Sequence, residues 1–188
     1  MAKVEGLIPH IIEFEAGQIK GIGESLEEYF YRSLATGLAD DVDDLGGLTL
    51  VGVTWNTYRS YIGSKATKEE FLKMDYKLWY DILKKMYWDR WKADKLINQS
   101  VANILVDWVW ASGVHGIKIP QRILGVKSDG IVGKETLNRV NSVNQKALFE
   151  AIVVERRLFI DSIVRSRPQN AKFRNGWIRR INAFDFIA

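Results

Sequence analysis

Between Ser100 and Ser112 the chain carries Val101, Ala102, Ile104, Leu105, Val106, Trp108, Val109 and Trp110, distributed around every side of the helix this segment would form. A helix apolar all round is stable only inside a shell of other elements, so the neighbouring segments must wrap it. Asp107 stands in its middle. A carboxylate in that position requires a buried partner, with Arg90 as the expected one. A structural ion pair is favoured there over a direct role in chemistry. The chain can supply the wrapping: its 188 residues are 47% hydrophobic and include seven Trp, seven Tyr and eight Phe. That is enough for one well-buried domain or for two small lobes sharing a core.

The start and stop signals around this segment are mostly helical. A first helix begins near Ile8 or Pro9, where proline is tolerated in the first turn, and stops at Gly17. Ser25-Leu26-Glu27-Glu28 has the form of a capping box and opens a helix through Tyr29, Phe30 and Leu34 that ends near Gly37. Leu48 to Val53 is β-prone and reads as a short strand or hairpin. Thr54 caps a helix through Tyr58 to Ile62, ended by Gly63. Thr67-Lys68-Glu69-Glu70 is a second capping box. Asp75 caps a longer helix with Leu78, Ile82, Leu83 and Met86 on one stripe, reaching the cluster from Tyr87 to Trp91. Gly113 and Gly116 close the central segment. After them come a short helix from Pro120 to Leu124, a turn from Ser128 to Gly133, and helices over 134–140 and 145–165. A last helix includes Trp177, Ile178 and Ile181. The expected class is mainly α, with one small β excursion near 47–54.

Several chemistries are disfavoured. The chain has no cysteine, which excludes a disulfide framework and thiolate metal sites. His10 and His115 lie far apart without metal-ligand spacing, so a structural role is expected for each. Asp40, Asp41, Asp43 and Asp44 are close together but lack the calcium-loop pattern with its terminal Glu. Neither a metal nor a cofactor is expected. No secretory leader is visible at Met1-Ala2-Lys3-Val4-Glu5, and no stretch reaches the roughly 18 apolar residues of a membrane span. The expectation is a protein made in the cytoplasm, without membrane insertion and monomeric, which acts elsewhere only after release or non-standard export. From Ile117 onward 14 Lys/Arg face 6 Asp/Glu, while the first 116 residues hold 13 against 17. A basic second half suits a polyanion such as a carboxylate-bearing wall polymer or nucleic acid. Nucleic acid is the weaker reading, because no recognition-helix or RNP motif is present.

One acidic residue stands out. Ile8, Ile11 and Ile12 recur at helical spacing, and Glu15 is the next place on their stripe. Burial there would raise its pKa, and the negative end of the helix dipole just before Gly17 would disfavour its ionised form further. A glutamate that resists ionisation is what general-acid chemistry near neutral pH needs. An ordinary surface glutamate on a short helix is the competing reading.

Leu7-Ile8-Pro9, Glu15-Ala16-Gly17, Asp44-Leu45-Gly46-Gly47-Leu48-Thr49 and Gly52-Val53-Thr54 together resemble the motif of the glycoside hydrolase family 108 N-acetylmuramidases, lysozyme-like enzymes some of which are termed secretion activators. Tyr87-Trp88-Asp89, Gly125-Val126 through Gly133, and Asn175-Gly176-Trp177 are similar to the peptidoglycan-binding region that accompanies them. The resemblance implies a lysozyme-like helical fold, with a catalytic lobe over 1–98 and a peptidoglycan-binding lobe over 99–188, and peptidoglycan glycan strands as substrate. It also implies roles: Glu15 as general acid, Asp44 as second carboxylate, and Thr49 as positioner of a water. Glycoside cleavage independently calls for one protonated and one ionised carboxyl, and the Gly-rich turn around Asp44 suits the ionised one. Tyr58, Trp88 and Trp110 are the aromatic candidates for sugar contact. Three departures stand against the pattern: Ala16 replaces a glycine, Leu50 replaces an Asn, and 28 residues separate Glu15 from Asp44, far more than the family has. The excess lies in 18–37. Loop insertions cost little in closure entropy, but this one could alter the groove and leave a wall-binding protein with impaired catalysis.

Overall fold

The computed structural model describes residues 1–41 and 47–188. Contacts divide the chain into two units, residues 5–86 and residues 1–4 with 87–188. Among the described residues the class is mainly α with one small antiparallel sheet, as expected.

In the first unit α1 (Ile8–Ala16) carries Pro9 in its first turn and ends at Gly17, whose φ of 68° is the left-handed conformation that favours glycine. The expected capping box is present: Ser25 accepts from the Glu28 N–H, and the Glu28 side chain accepts from the Ser25 N–H, opening α2 (Leu26–Ser33). The sheet is larger than the expected hairpin. β1 (Leu38–Asp41) pairs with β2 (Gly47–Leu50), which pairs with β3 (Val53–Thr54), and Thr49 stands opposite both Ala39 and Thr54. Val51 and Gly52, both with positive φ, make the tight β2–β3 turn. A β-branched residue is strained in that conformation. Two bonds hold it: the Val51 N–H donates to Gly37 O at 2.7 Å, and the Trp79 indole donates to Val51 O at 2.9 Å. Thr54 then caps α3 (Trp55–Ile62), Thr67 caps α4 (Lys68–Leu72), and Asp75 caps α5 (Tyr76–Leu83). The core of this unit gathers Leu7, Ile8, Ile11, Ile12, Tyr29, Phe30, Phe71, Trp79, Ile82 and Leu83, all buried.

In the second unit the chain runs through α6 (Asp89–Trp91) into α7 (Gln99–Ser112), the apolar segment, capped by Asn98. It is buried from Val101 to Val109 apart from half-buried Asn103. α8 (His115–Ile123), α9 (Lys134–Ser142), α10 (Gln145–Ser166) and α11 (Ala171–Asn182) come after it. α7 packs against α8 and α10, and α10 against α11. The boundary falls ahead of the 98/99 division read from the sequence because residues 91–97 bond to later helices. Trp91 donates to Gly116 O, Asn141 donates to Lys95 O, and the Ile97 N–H donates to Asn141.

Two expectations are corrected here. The partners of Asp107 are Arg156, at 2.8 Å, and Arg180, at 2.7 Å; Arg90 is exposed on α6. Sequence proximity favours Arg90, but packing delivers guanidiniums from α10 and α11. The helix expected from Pro120 begins instead at His115, with Pro120 inside it. Proline has no N–H to donate to Gly116 O, four residues back. The Trp91 indole takes that carbonyl at 3.0 Å, which offsets the loss. The turn after α8 is organised by buried Gln121, which donates to Ile131 O and accepts from the Gly130 N–H.

Gly116 marks where α7 and α8 touch backbone to backbone. A Cβ there would lie 2.5 Å from the carbonyl carbon of Trp108 and against the nitrogen of Val109. Neither atom can yield without moving α7. Gly116→Ala is expected to lose at least about 2 kcal/mol of stability by overpacking, read from denaturant or thermal unfolding, whereas Gly176→Ala, with open space around it, is not.

Candidate active site

The buried stripe of α1 runs through Ile8, Ile11, Ile12 and Ala16, four residues after Ile12, and Glu15 lies at its edge, half buried. Full burial, as expected from the spacing, is therefore not what holds Glu15. Its position in the last turn of α1 stands: the Gly17 N–H donates to Glu13 O at 2.9 Å and closes the helix immediately behind it.

The chain after Gly17 decides how far Glu15 is from the sheet. The Gln18 amide donates to Thr36 Oγ1 at 3.3 Å, two residues before β1. Residues 18 and 36 are thus neighbours, and the excess chain between them is an excursion closed at its base. Arg32 on α2 stitches it together. The guanidinium donates to both carboxylate oxygens of Glu24 at 2.8 Å, to Gln18 Oε1 at 2.7 Å and to Ile19 O at 2.9 Å. The buried Tyr29 donates its hydroxyl to Gln18 O, and burial, then the nearby Glu13 charge, pushes its pKa up to about 12. α2 also packs on α1. The capping box of this excursion is visible in the sequence. The gathering of Gln18, Tyr29, Arg32 and Thr36 is not, since no spacing rule pairs an arginine with a glutamine 14 residues earlier.

Thr49 is half buried in β2, and its hydroxyl donates to Gly47 O at 3.1 Å. Directly opposite is Thr54, whose side chain caps α3. Asp44 lies outside the described residues, as does Asp43. Leu50, where the family pattern has a polar residue, is buried. Of the aromatic candidates, Tyr58 is buried against Trp55 and Phe71, and burial raises its pKa. Trp88 is fully buried with its indole N–H on Asp94 at 2.7 Å. Neither presents an open ring face. Trp110 is half buried, 4.6 Å from the Tyr87 ring; it and Trp88 belong to the second unit, whereas Glu15 and Thr49 belong to the first. Sequence reasoning passes over Trp55. It is half buried and succeeds Thr54, the cross-strand partner of Thr49. Among the described residues no three His, Asp or Glu converge as a metal site, and no helix is long and apolar enough to cross a membrane.

Residues 34–113 match the family model described as Glycosyl hydrolase 108, and residues 115–182 match one described as Predicted Peptidoglycan domain. The chain thus carries one segment similar to glycosyl hydrolase 108 and, after it, one similar to a peptidoglycan domain. Thr49, Tyr58, Trp88 and Trp110 fall inside the glycosyl hydrolase 108 match, and Glu15 lies ahead of it. No curated protein sequence matches the chain. Among solved structures, Brucella abortus SagA aligns with a TM-score of 0.69 at 24% identity, over 81% of this chain and 89% of that one. At that identity the likeness shows the fold. The two matched segments together support a glycoside hydrolase directed at peptidoglycan.

The closed excursion carries a pH signature. The Arg32 hydrogen bonds, then the Gly21 N–H at 2.7 Å, lower the Glu24 pKa from 4.5 to about 2. A depressed carboxylate pKa contributes stability that is complete above the unfolded value and is lost as pH falls through the folded one. Hydrogen exchange at Gly21, corrected for intrinsic rates, should therefore be level from pH 7 down to about 5. Protection should then fall between about pH 4.5 and 2. Arg32→Ala should abolish the protection at pH 7.

Proposed function

We propose that the protein is an N-acetylmuramidase that cleaves the β-1,4 bond between N-acetylmuramic acid and N-acetylglucosamine. Glu15 is the general acid. The observation that carries this reading is the Gln18–Thr36 bond. It sets residue 36, two residues before β1, beside residue 18, two residues past the end of α1, and so supports reading most of the long spacing after Glu15 as an excursion closed at its base.

In this mechanism Glu15, in the last turn of α1, protonates the glycosidic oxygen as the bond breaks. It stands at the carbonyl end of the helix, the negative pole of the dipole. Asp44, which follows β1 and precedes β2, remains ionised and either orients a water or stabilises the oxocarbenium-like transition state. Thr49, on the strand that begins three residues later, positions that water. Trp55 offers the apolar face on which a sugar ring can rest. The peptidoglycan domain holds the polymer, and its basic composition suits a carboxylate-bearing wall. The site of action is the cell wall, reached after release or export.

A second reading has its own observation. The glycosyl hydrolase 108 match begins at residue 34, beyond Glu15, as it would in a wall-binding protein whose groove has been altered by the 18–37 excursion.

Purified cell walls separate the two. Glu15→Gln is isosteric and cannot donate the proton, so reducing-sugar release should fall roughly 10²–10⁴-fold while co-sedimentation with walls is kept. Equal release by wild type and variant removes Glu15 as the acid. Wall binding by the wild type without any release selects the second reading.

A further inference from the structure

The second unit contains a cavity that the muramidase mechanism does not use. It holds about 120 Å³ and is bounded by α7, α10 and α11, with Trp108, Phe159, Ile160 and Trp177 among its walls and Arg156 and Arg180 at one side. On this measure roughly 10–15 Å³ is enough for one water, so the space admits a group of several heavy atoms.

Its charge is unusual for so apolar a pocket. Arg156 is buried, with one amino group 2.8 Å from Asp107 Oδ2 and another 3.2 Å from Ile104 O. Arg180 bonds Asp107 Oδ1 through Nε at 2.9 Å and a terminal nitrogen at 2.7 Å. Asp107 is fully buried and holds both guanidiniums in place. Both guanidiniums thus bond the same carboxylate beside the cavity. Burial lowers the Arg156 pKa; Asp107 opposes that, and repulsion from Arg180 adds to it. An anion entering the cavity would offset that repulsion in a setting where charge-assisted hydrogen bonds are strong. The Trp108, Phe159 and Ile160 walls call for a small apolar group beside the charge.

We propose that this cavity is a subsite for a carboxylate on a methyl-bearing carbon. Peptidoglycan presents that chemistry at the alanine end of a stem peptide and, where the stem peptide has been removed, on the lactyl arm of muramic acid. The inference rests on the wall-directed reading above and adds the group that the second unit grips. It also assigns work to the arginines: recognition of a carboxylate, with Asp107 as the positioning residue behind them.

The test is titration of the full chain by calorimetry, with indole resonances tracked in parallel, using N-acetyl-D-alanyl-D-alanine, its C-terminal carboxamide and N-acetylmuramic acid. The dipeptide acid or the muramic acid should bind, and whichever binds more tightly identifies the source. The carboxamide should bind roughly tenfold more weakly than the acid. Trp177→Ala should weaken binding, and Ala111→Phe, at an exposed position on the rim, should block it, with melting temperatures checked for both. Equal binding of acid and amide overturns the proposal, as does absence of binding to either acid by the folded wild type or indifference to Ala111→Phe. Because the readout needs no turnover, the outcomes separate. Walls digested without dipeptide binding refute the subsite and leave the muramidase reading standing. Binding without digestion does the reverse.

Discussion

The buried carboxylate of Asp107 is the interaction around which the second unit is arranged. Removing one partner from a buried ion pair typically costs about 3–5 kcal/mol, because a charge is then stranded away from water. Asp107 sits where α7 is apolar on all sides, so helices that cover α7 must also bring guanidiniums to it. α10 brings Arg156 and α11 brings Arg180. The ion cluster selects which helices lie on α7 and in what register, while the surrounding Trp, Ile and Val side chains supply the apolar burial.

A different device organises the first unit. Between the glutamate-bearing helix and the sheet the chain makes a long excursion, which would be harmful if it drifted. It is closed by Gln18 and Thr36 and stiffened by Arg32. Chain length in a closed loop adds only slowly to the entropy of closure, so a bonded base is enough to keep the ends together. The sheet is fixed by a second set of bonds, from Val51 to Gly37 and from Trp79 to Val51. These hold a strained turn whose strands present Thr49 and Thr54 opposite one another.

Local chemistry makes most elements legible. Ser25 with Glu28, Thr67 with Glu70, and the caps at Thr54 and Asp75 act within one helical turn, so their consequences appear at the residues that encode them. The same holds for Gly17 and for the β2–β3 hairpin. The α8 start escapes local rules because Pro120 by itself marks a first turn, and only the distant Trp91 indole makes it tolerable inside a helix. β1 escapes them because strand pairing is a relation between segments, and an Asp-rich edge strand carries little β propensity of its own. Of the candidate site, the end of α1 and the Thr49 strand are readable, but the half-burial of Glu15 and the core positions of Tyr58 and Trp88 are not. Aromatic residues carry no local mark that separates a sugar platform from a core filler.

The sequence by itself determined the mainly helical class, the caps that bound the helices, the need to bury 100–112, and the similarity of two segments to glycosyl hydrolase 108 and peptidoglycan domains. Each depends on periodicity, capping or short motifs, which act over a few residues. The tertiary structure alone decided that Asp107 pairs with Arg156 and Arg180, that residues 87–98 pack with the second unit, and that the excursion after Glu15 closes on itself. Those outcomes depend on side chains between 14 and 73 residues apart. Such partners are chosen by which surfaces meet when the apolar area is buried, and that choice is written in no single stretch of chain.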